Sequence, residues 1–292
     1  MSISRPIGIF DSGLGGLTVV KRVLEKLPHE SVVYVADQSH VPYGERAPDE
    51  IRSFALGITD FLIGRGAKLV IMACNMSSAT ALDAAHEMFP VPVIGVIEAG
   101  VRAALRSASG RPIGVLATKG TVSTRAYSKT LMRLMPEAEV IEQACPRFVP
   151  LIEAGKWDSD EAREAVQEYI TPLIRANCDS LILGCTHYPF LIRFIRLEAG
   201  PSVTIIDPAE ETAVEAANIL FDASASGGLD PPARLRRVHA YFTSGDPQQF
   251  AELGSPLLGS RITGVRKITW GMDLKETKWQ EKTAGQTTKS AL

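Results

Sequence analysis

Pro6-Ile7-Gly8-Ile9-Phe10-Asp11-Ser12-Gly13 is an apolar run of strand length that ends on polar residues and a glycine. The same pattern, Pro112-Ile113-Gly114-Val115-Leu116-Ala117-Thr118-Lys119-Gly120, returns in the second half of the chain. Each copy is followed at a comparable distance by an apolar run ending in cysteine. After the first comes Leu69-Val70-Ile71-Met72-Ala73-Cys74-Asn75, and after the second Leu181-Ile182-Leu183-Gly184-Cys185-Thr186-His187. A strand, a polar turn, a helix and then a cysteine-ended strand, occurring twice, predict two similar three-layer α/β domains related by a pseudo-twofold axis. The active site is expected in the cleft between the domains.

The other strand-length runs are Val32 to Ala36, Val93 to Val96 and Val203 to Ile206. They alternate with stretches at helical spacing: Leu17 to Leu27, Ile51 to Arg65, Ser78 to Met88, Thr124 to Met135 and Ser159 to Arg175. Runs that are apolar throughout belong to parallel sheets covered on both faces. In such sheets ligands gather beyond the carboxyl ends of the strands, where loops carry polar groups on a rigid base. Asp11-Ser12, Cys74-Asn75, Thr118 and Cys185-Thr186-His187 all fall there.

At 292 residues, 45% hydrophobic and 22% charged, the chain can bury one large domain or two modest ones. Its formal net charge of -2, with no basic block beyond Arg234 to Arg237, gives no footprint for nucleic acid. No apolar run approaches the ~20 residues of a membrane span, and the N-terminus lacks the apolar core of a signal peptide. Four scattered cysteines without Cys-x-x-Cys spacing point to reduced thiols in a cytoplasmic protein.

A free cysteine is most often a small buried hydrophobe. Cys74 and Cys185 differ from that background because they occupy equivalent strand ends, each followed by polar residues. One from each half, they could hold a small substrate between two sulfur acid/base groups, an arrangement that suits inversion of a carbon stereocentre. Cys145 and Cys178 have no such setting and are read as structural. His187 could instead pair with Cys185 in a thiol-dependent hydrolase or transferase; a non-catalytic binding protein is the third class. The turn Gly13-Leu14-Gly15-Gly16 feeds a helix and could receive a carboxylate or phosphate. As a dinucleotide fingerprint it fails: Thr18 stands where the third glycine belongs, although Asp37 lies at a suitable distance.

Taken together, Gly8-Ile9-Phe10-Asp11-Ser12-Gly13-Leu14-Gly15-Gly16, Val41-Pro42-Tyr43-Gly44, Ala73-Cys74-Asn75, Ala117-Thr118-Lys119-Gly120-Thr121, Phe148-Val149-Pro150-Leu151-Ile152-Glu153 and Gly184-Cys185-Thr186-His187-Tyr188-Pro189 closely resemble the glutamate racemases of the aspartate/glutamate racemase superfamily. The likeness runs in the same order from Ile7 to about Phe250. It implies a cofactor-independent racemase that interconverts L- and D-glutamate and supplies D-glutamate for peptidoglycan. Cys74 and Cys185 would be the catalytic thiols, each removing the α-proton of one enantiomer while the other reprotonates the opposite face. Asp11 would stand beside the first thiol, and His187, backed by Glu153, would assist the second. Ser12, Tyr43, Gly44, Asn75, Thr118, Thr121 and Thr186 would line the substrate pocket together with Asp11 and His187. The resemblance also implies interleaved domains: residues 1–97 with 208–274, and residues 98–207. Residues 275–292 are polar with few apolar anchors and are expected to be a flexible tail, disordered or loosely attached.

Such chemistry is demanding, because an amino-acid α-hydrogen is a very weak acid and a free thiol has a pKa of about 8.5. One thiol must be ionised while its partner keeps its proton, and N–H donors must stabilise a carbanion-like transition state. No lysine setting suggests pyridoxal and no spacing suggests a metal, so no cofactor is expected. Two departures from the family pattern stand out. Met76, followed by Ser77-Ser78, replaces a usual Thr, which leaves aspartate or another acidic amino acid open as substrate. Ala36-Asp37-Gln38-Ser39-His40 replaces a usual Gly-Asp-Thr, and His40 is read as a surface loop residue. Some members of the family this chain resembles dimerise or bind regulators near their C-terminal helix; a homodimer is compatible with this sequence, which bears no specific sign of either.

Overall fold

The computed structural model describes residues 5–107, 109–225, 238–270 and 279–281. Strand and helix alternate as β1 (Ile7–Asp11), α1 (Leu17–Lys26), β2 (Val32–Ala36), α2 (Pro48–Gly64), β3 (Leu69–Met72), α3 (Asn75–Met88), β4 (Val93–Gly95) and α4 (Val96–Ser107). Then come β5 (Ile113–Ala117), α5 (Lys119–Thr124), α6 (Ala126–Leu134), β6 (Val140–Ala144), α7 (Phe148–Glu153), α8 (Asp160–Arg175), β7 (Ser180–Gly184), α9 (Ile192–Ala199) and β8 (Thr204–Ile206). The last elements are α10 (Pro208–Ala225), β9 (His239–Thr243), α11 (Pro247–Leu258), β10 (Arg266–Trp270) and β11 (Trp279–Glu281).

These strands form two sheets, ordered β11-β10-β9-β2-β1-β3-β4 and β6-β5-β7-β8. The segments β2-β1-β3-β4 and β6-β5-β7-β8 are wound alike, and β1 and β5, the two copies of the opening motif, hold equivalent inner places. β1 pairs in parallel with β2 and β3, and β5 with β6 and β7. The architecture is thus two similar α/β units, as the sequence predicts. Alternate side chains of each sheet feed a core on either face. Ile7, Ile9, Tyr34 and Ile71 meet Leu17, Val20 and Phe250 on one side of the first sheet, while Phe10, Val35 and Met72 meet Ile58 and Leu62 on the other. In the second sheet Leu116, Leu181 and Leu183 pack on Phe148 and Ile170, and Val115 and Ile182 pack on Val101 and Tyr127. Burying each such side chain is worth about 1.5–3 kcal/mol. Where the chain passes between the sheets, α4 and α10 pack together, pinned at one end by the Arg106–Glu211 pair.

Several elements differ from expectation. The helix expected over 124–135 is α6, and a short helix not expected, α5, precedes it and ends where Arg125 adopts a left-handed conformation (φ 54°). The helix expected from Ser78 begins at Asn75, directly after Cys74. Four strands, β6, β9, β10 and β11, go beyond those read from apolar runs. Within the expected tail, Trp279–Glu281 pairs antiparallel with β10; residues 275–278 and 282–292 lie outside the described residues. Among the described residues no helix is long and apolar enough to cross a membrane.

Candidate active site

In both sheets the chain leaves the inner strand toward one flank and comes back on the other, β1 to β2 then β3, β5 to β6 then β7. A crevice opens at the carboxyl ends where the strand order reverses in this way. Asp11 ends β1 and Cys74 follows β3; Thr118 follows β5 and Cys185 follows β7. The two reversal points share one cavity of about 90 Å³. Ser12, Tyr43, Gly44, Cys74 and Asn75 line it from the first unit, and Thr118, Thr121, Cys185, Thr186 and His187 from the second. Asp11 and Glu153 stand one layer behind this wall.

Cys74 sits at the N-cap of α3, in extended conformation, and is 7% exposed. Burial pushes its thiol up to about 12, and the carboxylate of Asp11 pushes the same way; the amide and hydroxyl of Ser77 work against them. Asp11 is fully buried. One of its oxygens accepts from the main-chain N–H groups of Gly13 (3.2 Å) and Gly16 (2.9 Å), and Thr186 Oγ1 lies 3.3 Å from each of the two carboxylate oxygens. Burial raises the Asp11 pKa, opposed by His187 and by those donors.

Cys185 has a different neighbour. His187 Nδ1 lies 3.7 Å from its sulfur, and His187 Nε2 lies 2.5 Å from Glu153 Oε1. Burial disfavours a charged ring, but the contacts to Cys185 and Glu153 outweigh it and hold the His187 pKa well above the ordinary imidazole value. These contacts favour the imidazolium form of the ring, with Nδ1 facing the sulfur. Pro150 and Val149, on the same short helix α7 as Glu153, complete this side of the cavity.

The polar wall is held from behind. Asn75 Oδ1 accepts from Tyr127 Oη (2.8 Å), and Thr118 caps α5 by accepting from Thr121 N. Tyr43 donates to Asp37 Oδ2 at 2.6 Å. The two units approach closely enough to require glycine: a Cβ on Gly15 would lie 2.5 Å from Thr186 Oγ1, and one on Gly120 would lie 2.5 Å from the carbonyl of Gly44. Met76, 2% exposed, lines the same cavity with its thioether against Gly120.

Sequence reasoning missed four residues here. Asp37 is no ribose ligand: fully buried, it accepts from Tyr43, Ser244 and His40. His40, read as a surface loop residue, is stacked on Phe54 at 4.1 Å and bonded to Asp37, so it belongs to that anchor. Tyr127 carries no motif signal at all. Cys145, read as structural, is buried yet borders the cavity. Among the described residues no group of three or more His, Cys, Asp or Glu could hold a metal ion.

Residues 8–216 match the family model described as Asp/Glu/Hydantoin racemase. A glutamate racemase from Geobacter metallireducens is 43% identical over 266 residues, spanning 91% of this chain and 97% of the relative. The chain belongs to the Asp/Glu/hydantoin racemase family. It is an isomerase of the kind that acts on amino acids. Its fold agrees with solved structures at similar coverage. A glutamate racemase isoform from Bacillus anthracis superposes with a TM-score of 0.84 at 38% identity, over 90% of this chain and 97% of that one. The Francisella tularensis enzyme in complex with D-glutamate gives 0.83 at 32% identity, over 91% and 98%.

Proposed function

We propose that the protein is a cofactor-independent glutamate racemase working by two-thiol proton transfer. The observation that carries this reading is the placing of Cys74 and Cys185, from equivalent strand ends of two similar units, on one small cavity. Relatives named glutamate racemase, and a neighbour holding D-glutamate, support the substrate.

In this account the amino acid lies with Cα between the sulfurs. One thiolate removes the α-proton and becomes a thiol, while the opposite thiol delivers its proton to the other face. His187 Nδ1, 3.7 Å from the Cys185 sulfur, is placed to complement negative charge there, and Cys74, pushed up to about 12, is the partner that carries its proton. That division provides the one-ionised, one-protonated pair the reaction needs. Ser12, Asn75, Thr118, Thr121 and Thr186 offer donors and acceptors to the ammonium and carboxylates, and Asp11 acts on Cys74 from behind. Carbanion-like charge is stabilised by such preoriented donors in a partly enclosed cavity. We further read residues 1–97 with 208–274 and residues 98–207 as the two domains, and take the product, D-glutamate, to serve peptidoglycan synthesis in the cytoplasm.

The test is incubation of the purified protein with L-glutamate, without added cofactor, followed by optical rotation. Decay to zero rotation is expected. A stable rotation with glutamate, but decay with aspartate, would move the substrate and point to Met76. A covalent adduct on Cys185 without racemisation would support the hydrolase or transferase reading instead.

A further inference from the structure

Cys185 has the imidazolium of His187 beside it, whereas Cys74 has the carboxylate of Asp11 at its back. Support for an ionised Cys74 must come from elsewhere, and α3 supplies it. A side chain at the N-cap of a helix faces the free amides of the first turn, where an acceptor bonds the N2 or N3 N–H. Here Cys74 is the N-cap and Ser77 is the third residue of the helix. Ser77 is fully buried, its hydroxyl has no hydrogen-bond partner, and the Cys74 side chain makes no cap bond in the resting site. Neighbouring hydroxyls behave differently: Thr80 donates to the Met76 carbonyl at 2.8 Å, and Ser78 to the Met72 carbonyl at 2.9 Å. A buried hydroxyl left unpaired is costly, so it calls for an explanation.

We propose that Ser77 supports the Cys74 thiolate, its hydroxyl and main-chain N–H both donating to Sγ once the sulfur has lost its proton. The inference rests on the two-thiol reading above. The hydroxyl has no partner in the resting site because the acceptor it serves, the Cys74 thiolate, exists only transiently within the catalytic cycle. When Cys74 is the base, its thiolate takes the α-proton and becomes a thiol while Cys185 gives its proton to the opposite face. Ser77 keeps its own proton throughout. The same two groups oppose burial and Asp11 in setting the Cys74 pKa.

The experiment is alkylation by iodoacetamide at fixed alkaline pH, resolved by cysteine through peptide mass spectrometry, in wild type, Ser77→Ala and Ser77→Thr. Modification of Cys74 should slow about tenfold in Ser77→Ala, equivalent to ~1.4 kcal/mol, with Cys185 unchanged and Ser77→Thr near wild type. The limb of the racemisation pH profile that belongs to Cys74 should move to higher pH in Ser77→Ala alone. A Cys74 rate within twofold of wild type overturns the proposal, and so does equal slowing of both cysteines, which would mark a general disturbance. Failure of the parent reading is seen separately, as a wild-type protein that racemises nothing.

Discussion

Cys74 and Cys185 occupy equivalent places in two similarly wound sheets, but opposite charges surround them. Behind Cys74 stands a buried carboxylate, and beside Cys185 stands an imidazolium held by Glu153. Repetition of the fold places two thiols symmetrically; divergence of the flanking residues makes them unequal. A racemase needs one thiol ionised and the other protonated, and unequal surroundings favour one assignment of those roles at rest. The predictions below try to break that inequality, beginning with the largest effect.

Cys74→Ala and Cys185→Ala should each lower racemisation by at least ~10³-fold, within the range for loss of a general acid or base. The enantiomers are equal in free energy, so kcat/KM must fall equally in both directions; polarimetry started from each enantiomer checks this. His187→Asn should cost about 10²-fold, with kcat falling unequally in the two directions because His187 serves one thiol only. Retention of near wild-type kcat both ways would remove His187 from the mechanism.

Asp11→Asn removes the anion that pushes Cys74 up. Its alkylation should accelerate several-fold while Cys185 stays unchanged, the reverse of the outcome for Ser77→Ala. Glu153→Gln should have a smaller effect on rate, since Glu153 touches His187 and does not border the cavity, and the His187 titration observed by NMR should move to lower pH.

The raised His187 pKa also predicts a stability signature. A native value above the unfolded one favours the folded state fully below about pH 6.5, and this stabilisation is lost as pH rises through the native value. The melting-temperature gap between wild type and His187→Asn should therefore shrink toward alkaline pH. A gap that widens would contradict the assignment.

The sequence reveals the fold where strands are apolar on both faces, as in Ile7-Gly8-Ile9-Phe10 and Leu181-Ile182-Leu183, because burial on both sides leaves no room for polar residues. It conceals β6 and β10, whose half-buried sequences Val-Ile-Glu-Gln-Ala and Arg-Lys-Ile-Thr-Trp mix polar and apolar residues. Boundaries fail for local reasons. Capping rules look for Ser, Thr, Asp or Asn, so a helix capped by Cys74 is read as starting late. Arg125 in a left-handed turn has no compositional signal. The site residues in motifs, Cys74, Asn75, Thr118, Cys185 and His187, are legible because strand ends are where such folds place chemistry. The supporting residues, Tyr127 on a helix and Ser77 within one turn of a thiol, depend on distances that a linear pattern does not carry.

The central claim is that two distinct thiols act on opposite faces of one carbon. It is tested most directly by early-time racemisation of L-glutamate in D2O, measuring deuterium at Cα in product and in remaining substrate separately. The account predicts deuterium in D-glutamate while the unreacted L-glutamate stays protiated. Deuterium entering both enantiomers equally from the first turnovers would show one base serving both faces and would contradict it.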